Sequence, residues 1–214
     1  QELALNTLKE ELQLLQDHLW LYAKQLHQQR LDGVEQLAQK LELILQDLKL
    51  PHTKLAFDLQ QTEQLNASGC TQIDLLFSAN LGHNPVPVER AASGGELSRL
   101  MLALQKMSSE KKALPTIIFD EIDTGISGEV ALQMVRMMKE IATRHQVICI
   151  THLPQVAAKG DLHYFVYKDN SSDKTISKIK LLSSEERISE LAKMIAGAHP
   201  SASAVESARE LLLN

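Results

Sequence analysis

Three short segments of the chain contain groups that could take part in phosphate chemistry. The first is SGGELSR at residues 93–99, where two adjacent glycines stand at the predicted start of a helix. Free N–H groups and the positive end of the helix dipole bind anions at such a position, and Ser93 could add a hydroxyl. The same residues also fit an ordinary helix start, with Ser93 as the cap and Glu96 closing a capping box. Both interpretations stay open for this segment alone.

The second segment is TIIFDE at residues 116–121, an apolar run that ends in two acids. A buried strand ending in carboxylates is unfavourable unless these are solvated, paired or near a cation. At the carboxyl edge of a parallel sheet, Asp120 is placed to hold Mg²⁺ through water, and Glu121 to orient and deprotonate an attacking water. Taken alone, two acids at a strand end are more often simple turn residues.

The third segment is ITH at residues 150–152, which closes the next apolar run. A single histidine at this point is usually a satisfied interior or edge residue. If the two strands are neighbours, however, His152 lies at the same edge as Asp120 and Glu121. That arrangement is the one that a polarised water and a terminal phosphate require.

A mostly parallel α/β core must position these segments, because predicted strands alternate with predicted helices. The second segment is a strand over Thr116–Asp120, and the third ends a strand over Gln146–Ile150. The other predicted strands lie at 55–59 and 73–79, with a β-hairpin at 162–182 turning around Asp169–Asp173; the predicted helices lie at about 96–112, 128–143, 184–196 and 201–213.

The first fifty residues predict a coiled-coil arm, residues 1–50, before a globular lobe at 51–214. Leucines and one tyrosine alternate spacings of three and four, as in the seam of a heptad repeat. The phase slips by one residue near Gly33, and Pro51 stops the pattern. Such a seam needs a partner helix; two amphipathic helices packed on the lobe are the alternative. Because the chain opens on Gln1 within this pattern, we expect a piece of a longer protein.

Composition excludes several classes of function. The net charge of −5 gives no bulk electrostatic case for binding nucleic acid. A few lysines around the predicted hairpin form a weak candidate patch, although a solvated face is the more ordinary interpretation. Cys70 and Cys149 are too far apart in sequence for a disulfide framework or metal-ligand spacing, and Cys149 has the surroundings of a small buried hydrophobe. No apolar run is long enough to span a bilayer, so we expect a cytoplasmic protein without a membrane partner. The lysines around the predicted hairpin that form the weak candidate patch are Lys168, Lys174, Lys178 and Lys180.

Taken together and in this order, the segments resemble the C-terminal half of an ABC-class ATPase head. The preceding coiled coil resembles the SMC group within that class. The amino-acid sequences of the motifs are similar to those of the RecN family of bacterial recombinational repair proteins. The resemblance covers about Ile73 to Leu213. Its matching stretches are PVERAASGGELSRLMLALQ (85–105), IIFDEIDTGISGEVA (117–131), ICITHLPQVAAKGDLHYFVYK (148–168) and ERISELAKMIAG (186–197).

The resemblance implies an ATPase of double-strand-break repair in which two heads sandwich two ATP molecules. Asp120 would position Mg²⁺, Glu121 would act as general base, and His152 would sense or polarise the γ-phosphate. For Arg99 two interpretations stay open: contact with the neighbouring nucleotide or ribose, and an exposed structural arginine. The residues implied to contact ATP across the dimer are Ser93, Gly94, Gly95 and Glu96. The loop implied to cross the dimer interface, the D-loop, is Thr124, Gly125, Ile126 and Ser127.

A missing motif limits what this chain can do alone. The phosphate-cradling loop needs the pattern G-x-x-x-x-G-K-[ST], and the chain has no Gly-Lys dipeptide. In the resembled family this loop belongs to the N-terminal half of the head. The implied partners are therefore that half, a second head and DNA, with a recombinase as a further candidate, in a nucleoid-associated assembly. We expect the chain alone to be inactive.

Two other functional classes compete with this interpretation. A transporter ATPase is disfavoured by the coiled coil and by the wording SGGE, where transporters usually show SGGQ. A non-catalytic tether, in which the head only dimerises, is disfavoured by the intact acidic pair and histidine. A plain coiled-coil scaffold is hard to reconcile with three ordered motifs.

Overall fold

The computed structural model describes residues 2–91, 93–111, 114–126, 128–169 and 175–213. The chain divides into two compact units, Gln1–Glu96 and Leu97–Asn214. The helices are α1 (Glu2–Asp47), α2 (Val88–Ala91), α3 (Gly94–Lys111), α4 (Gly128–Ala142), α5 (Pro154–Ala157), α6 (Ser184–Ala196) and α7 (Ala202–Leu213). The strands are β1 (Lys54–Asn66), β2 (Gly69–Ser78), β3 (Val86–Pro87), β4 (Thr116–Asp120), β5 (Gln146–Ile150), β6 (Tyr164–Asp169) and β7 (Ile176–Leu181).

The first unit is built on α1, which runs unbroken through Gly33. It ends just before Pro51, because Lys49 adopts a left-handed φ of 62° and the N–H of Leu50 bonds back to Leu45 at 2.9 Å. The predicted seam remains on the surface in the first half of the helix, with side chains 37% to 64% exposed. The members of that seam are Leu5, Leu8, Leu12, Leu15, Leu19, Tyr22 and Leu26.

The last turns of α1 pack against an antiparallel sheet of order β1-β2-β3. Leu41, Leu45 and Leu48 are completely buried there, and the Glu42 carboxylate accepts a hydrogen bond from the N–H of Leu55 at 2.9 Å. Strands β1 and β2 are longer than predicted. Both continue to the turn after Asn66, because the antiparallel ladder supplies hydrogen bonds that polar residues such as Gln60 and Gln72 can share.

The second unit contains the predicted pair of buried strands. Strands β4 and β5 are parallel neighbours, and α4 packs on β5. One face of the pair is covered, with Ile117 and Phe119 buried. On the other face Ile118, Ile148 and Ile150 remain 63%, 43% and 51% exposed.

The remainder of the second unit is helical around a small core. Helices α5, α6 and α7 share a cluster built on Leu191 and Ala192 of α6 and Ala208 of α7. Strands β6 and β7 pair as the predicted antiparallel hairpin; its turn at 170–173 lies outside the described residues. None of the helices in the described part of the chain is both long and apolar enough to cross a membrane.

The expected mostly parallel sheet is present only in part. Among the described residues, parallel pairing is limited to β4 and β5, and every other strand pair is antiparallel. Two short helices, α2 and α5, were not predicted, because four residues are too few to show a helical period.

Candidate functional site

The two predicted acidic and histidine segments meet at one edge of the β4–β5 pair. Asp120 lies opposite Ile150 in the parallel register, and the N–H of Glu121 donates to the Ile150 carbonyl at 3.1 Å. The residues that follow each strand, Glu121 on one side and Thr151 with His152 on the other, therefore leave the sheet side by side. The predicted neighbour relation of the two strands is confirmed.

Glu121 has an unusual backbone conformation. Its φ is 49°, in the left-handed region that non-glycine residues seldom adopt. The conformation is held from both sides, because the N–H bonds to Ile150 and the carbonyl accepts both the N–H and the hydroxyl of Thr124, at 3.1 and 2.9 Å. Glu121 and Asp120 are both exposed, so either carboxylate can meet a ligand from solvent.

The turn after Glu121 is anchored by apolar side chains. Ile122 and Ile126 are buried, whereas Thr124 and Gly125 are exposed. Gly125 has a φ of 73°, which favours glycine at the tip of the turn. Of the predicted interface loop, the exposed part is thus Thr124 and Gly125, and Ser127 lies outside the described residues.

A wholly buried acid stands inside this turn. Asp123 is 0% exposed, and its Oδ2 accepts a hydrogen bond from the Thr151 hydroxyl. Its other oxygen, Oδ1, is 3.6 Å from Nδ1 of His152. Thr151 Oγ1 in turn accepts the N–H of Leu153 at 3.0 Å. Asp123 therefore connects the loop after β4 with the loop after β5.

His152 itself faces outwards, with 63% of its side chain exposed. It is followed by Leu153 and by Pro154, which begins helix α5. Proline suits the first turn of a helix because it has no N–H to leave unpaired. His152 therefore lies in the short connection between β5 and α5, and the backbone that follows it is held in a helix.

The buried carboxylate also affects the cysteine of β5. Burial, and to a smaller extent the negative charge of Asp123, raise the pKa of the Cys149 thiol to about 11. A thiol with so high a pKa is almost entirely protonated at neutral pH and is a poor nucleophile. Cys149 is therefore unreactive, as the sequence predicted, although its side chain is only partly buried.

The predicted anion-binding residues 93–96 are the last residues of the first unit. Helix α3 begins at Gly94, and the Glu96 carboxylate accepts the N–H of Ser93 at 3.1 Å. This bond is one half of the capping box that the sequence allowed. Ser93 and Gly94 are exposed, while Gly95, Glu96 and Arg99 are partly covered.

The candidate site offers few protein ligands to a metal. No group of three or more His, Cys, Asp or Glu side chains in the described ranges could hold a metal ion. Mg²⁺ often keeps several waters and binds through one or two carboxylates together with substrate phosphates. The exposed carboxylate of Asp120 at the sheet edge fits that mode of binding.

Two of the four lysines of the candidate basic patch are paired with acids. Lys178 pairs with Asp169, and Lys180 pairs with Glu186. Lys168 lies across from Ser177 in the hairpin, and Lys174 is outside the described residues. Paired lysines on a solvated hairpin make a poor phosphate-binding surface, so the structure gives no support for DNA contact there.

Sequence reasoning did not find Asp123 or Thr151. Asp123 stands between Ile122 and Ile126, and this apolar flanking was the one signal that it turns inwards. Thr151 was noted only as part of the strand end. Their contact joins two loops 28 residues apart, which no local pattern reveals.

The chain is similar in sequence to curated proteins that are named as DNA repair proteins. It is 36% identical over 184 residues to the DNA repair protein RecN of Haemophilus influenzae, covering 86% of this chain. It is 40% identical over 208 residues to the RecN protein of Rickettsia conorii, covering 97% of this chain. The chain is a homologue of the RecN proteins. It spans only 33% and 38% of the length of these two relatives. No protein-family model matches the chain.

Solved structures show the fold of an SMC head. The Smc head domain with a coiled coil and joint from Pyrococcus yayanosii superposes with a TM-score of 0.57 at 22% identity, covering 89% of this chain and 36% of that one. A structure from work on ATP-driven dimerisation and DNA-stimulated activation of SMC ATPases gives 0.54 at 22% identity, covering 81% and 99%. The RecN homologue therefore has a mixed α/β, SMC-head-like fold with a long N-terminal helix.

Proposed function

We propose that this chain supplies the catalytic side of an ATP-hydrolysing head in a RecN-type protein of double-strand-break repair. The observation that carries the proposal is the in-register parallel pairing of β4 and β5. It brings Asp120 and Glu121 to the same edge as His152. The relatives, which are named as DNA repair proteins, favour this role over that of a transporter ATPase.

Each residue at the edge has a distinct task in this proposal. The exposed Glu121 carboxylate takes a proton from water, and the left-handed backbone fixes the direction from which it does so. Asp120 holds Mg²⁺, which supplies charge neutralisation at the phosphates when bound. His152 contacts the terminal phosphate or the attacking water. Phosphoryl transfer depends mainly on positioning and charge, so these groups suffice only when the nucleotide is held in place.

The nucleotide must be held by parts of the protein outside this chain. No Gly-Lys dipeptide is present for a phosphate-cradling loop, and the chain spans about a third of its relatives. We place that loop in the N-terminal half of the same head. Ile118, Ile148 and Ile150 form an exposed apolar face on the β4–β5 pair. In a complete head, further strands and helices from the N-terminal half would cover this face. The exposed seam of α1 would pair with the other coiled-coil arm.

ATP would also join two heads. Residues 93–96 of one head would meet the nucleotide bound by the other, with the exposed Thr124 and Gly125 near the interface. Dimerisation driven by ATP is described for the SMC ATPase that shares this fold. Hydrolysis would then time the opening of a DNA-holding clamp.

The decisive test is Glu121→Gln in the full-length protein. The substitution keeps the shape of the side chain but removes the base, so turnover should fall by roughly 10²–10⁴ while ATP-dependent head pairing persists. Glu185→Gln, at an exposed glutamate in the first turn of α6, is the matched control and should leave turnover unchanged.

Two other results would redirect the proposal. Normal hydrolysis by Glu121→Gln would show that another group is the base. A wild-type protein that binds ATP and pairs its heads without hydrolysis would favour the non-catalytic tether. Mixing this chain with the N-terminal half-head adds a further check, because Mg²⁺-dependent activity should appear only on mixing.

A further inference from the structure

The buried carboxylate of Asp123 has one oxygen that needs a donor. Asp123 is 0% exposed, and Oδ2 is satisfied by the Thr151 hydroxyl. Oδ1 is buried and accepts no hydrogen bond from any residue in the described part of the chain. Leaving a buried acceptor unsatisfied is unfavourable, and more so for a charged group. The arrangement therefore favours a nearby donor that can reach Oδ1.

His152 Nδ1 is placed to be that donor. It lies 3.6 Å from Oδ1, which is longer than a hydrogen bond but within reach of a modest rotation of the ring. Catalytic hydrogen bonds are often long in the absence of ligand and tighten when substrate binds. A carboxylate only accepts, so the contact requires the proton of a neutral imidazole to be on Nδ1.

We propose that Asp123 is a positioning residue for His152: it holds Nδ1–H and leaves Nε2 as the ring nitrogen that meets the ligand. This inference rests on the proposed function of His152 at the attacking water, because an unprotonated Nε2 accepts a hydrogen bond from water and has no proton to donate to a phosphate oxygen. A partner that fixes the tautomer and orientation of a working histidine is a general device in metal and hydrolase sites.

The backbone on both sides of His152 is tied to the same carboxylate. Thr151 donates its hydroxyl to Asp123 and accepts the N–H of Leu153 at 3.0 Å with the same oxygen. The N–H of Ile126 also bonds to the Asp123 carbonyl at 3.1 Å, which anchors the acid in its own turn. Asp123 can thus orient both the ring and the loop that carries it.

A double-mutant cycle in the full-length protein separates this role from a merely structural one. Asp123→Asn is isosteric, and its amide can still accept from Thr151 while offering an N–H to the ring. We expect it to lower kcat by about 10–100-fold with little change in KM. In a His152→Gln background the same substitution should cause no further loss, because residues that act through one another are non-additive. Asp161→Asn, on an exposed surface aspartate, is the control and should leave kcat unchanged.

A loss of equal size in both backgrounds would overturn the proposal, and so would an Asp123→Asn protein with wild-type kcat when His152→Gln is impaired. If instead His152→Gln itself hydrolyses ATP normally, the proposed role of His152 fails. The two failures are then distinguished by a measurement that needs no ATP.

That measurement is the tautomer of His152 in protein labelled with ¹⁵N in the histidine rings. At about pH 8.5, where an ordinary histidine is neutral, the wild-type ring should show Nδ1–H, and Asp123→Asn should shift it to Nε2–H. The signal is assigned by its loss in His152→Gln. An Nε2–H tautomer in the wild type refutes the positioning role, even if Asp123→Asn does not fold.

Discussion

The left-handed backbone of Glu121 predicts an unusual response to glycine. A φ of 49° places the Cβ of Glu121 too close to its own backbone. The hydrogen bonds that enforce this conformation use the main-chain groups of Glu121, with Ile150 and Thr124 as partners. They survive any change of side chain. Replacing Glu121 by glycine should therefore relieve strain without loosening the turn.

The expected gain follows from two opposing contributions. A non-glycine residue in the left-handed region costs roughly 1–2 kcal/mol. Glycine loses more backbone entropy on folding than alanine, which costs about 0.5–1 kcal/mol. Glu121→Gly should therefore be more stable than Glu121→Ala by about 0.75 kcal/mol, and by at most about 1.5 kcal/mol, although both lack the carboxylate and should be inactive.

The assay is calorimetric unfolding of the full-length protein carrying each variant. For a domain of this size, 1 kcal/mol corresponds to about 2–4 °C in Tm. The matched control is Ser189, an exposed position inside α6. There the order should reverse, with alanine more stable than glycine by up to about 1 kcal/mol.

The reasoning is refuted if the alanine variant at position 121 has a higher Tm than the glycine variant, as expected at Ser189. Alanine would then be the more stable residue at both positions. The strain would not exist in the protein, and the left-handed backbone could not be what aims the carboxylate.

Four further predictions concern other parts of the molecule. Ser93→Arg should block ATP-dependent head pairing and spare nucleotide binding; unchanged dimers on gel filtration would contradict the role of residues 93–96. The alkylation rate of Cys149 should keep rising with pH towards its pKa of about 11, whereas an ordinary thiol levels off near 9.0; a plateau near 9.0 would be the contrary result. Lys180 and the N–H of Ser183 lower the pKa of Glu186 to about 2, so its contribution to stability is present above the ordinary value of 4.5 and is lost as pH falls through 2. Glu186→Gln should therefore lose less Tm than wild type on acidification, and equal losses would argue against this contact. Arg187→Met removes the donor to the carbonyls of residues 157, 158 and 160 and should destabilise the fold by about 1.5–3 kcal/mol in denaturant titrations; an unchanged midpoint would refute it.

The two strands of the candidate site were the most predictable elements. β4 and β5 have the bounds that the sequence predicted, because short apolar runs between polar flanks have few alternatives to a buried strand. Proximity of the acids to His152 then followed from one assumption, that the strands are parallel neighbours. The register confirms it.

Helix starts were also readable from sequence where a capping signal was present. At α6, Ser183 and Glu186 form a complete capping box, and the helix begins at the predicted residue. α5 could not be predicted in this way. Its four residues are too few to show a helical period, and its end is held by a distant residue, because Arg187 donates to the carbonyls of residues 157 and 158.

The conformation of Glu121 was beyond any sequence argument. Nothing in the local residue types demands a positive φ at a glutamate, and the statistics favour glycine or asparagine there. The bonds to Ile150 and Thr124 impose it. The candidate base was thus identified from its neighbours in sequence, whereas the orientation of its backbone depends on hydrogen bonds to the adjacent strand and turn.

Residue types and their order determined by themselves which groups could do the chemistry: Asp120, Glu121 and His152 at strand ends, and the glycines of 93–96 at a helix start. Local hydrophobic patterning is sufficient for that, because it requires only a few residues of context. The tertiary structure alone decided that Asp123 is buried, that Thr151 joins two loops, and that His152 Nδ1 faces a carboxylate. These depend on contacts between residues 28 or 29 positions apart, whose geometry is set by how β4 and β5 pair and not by any local preference.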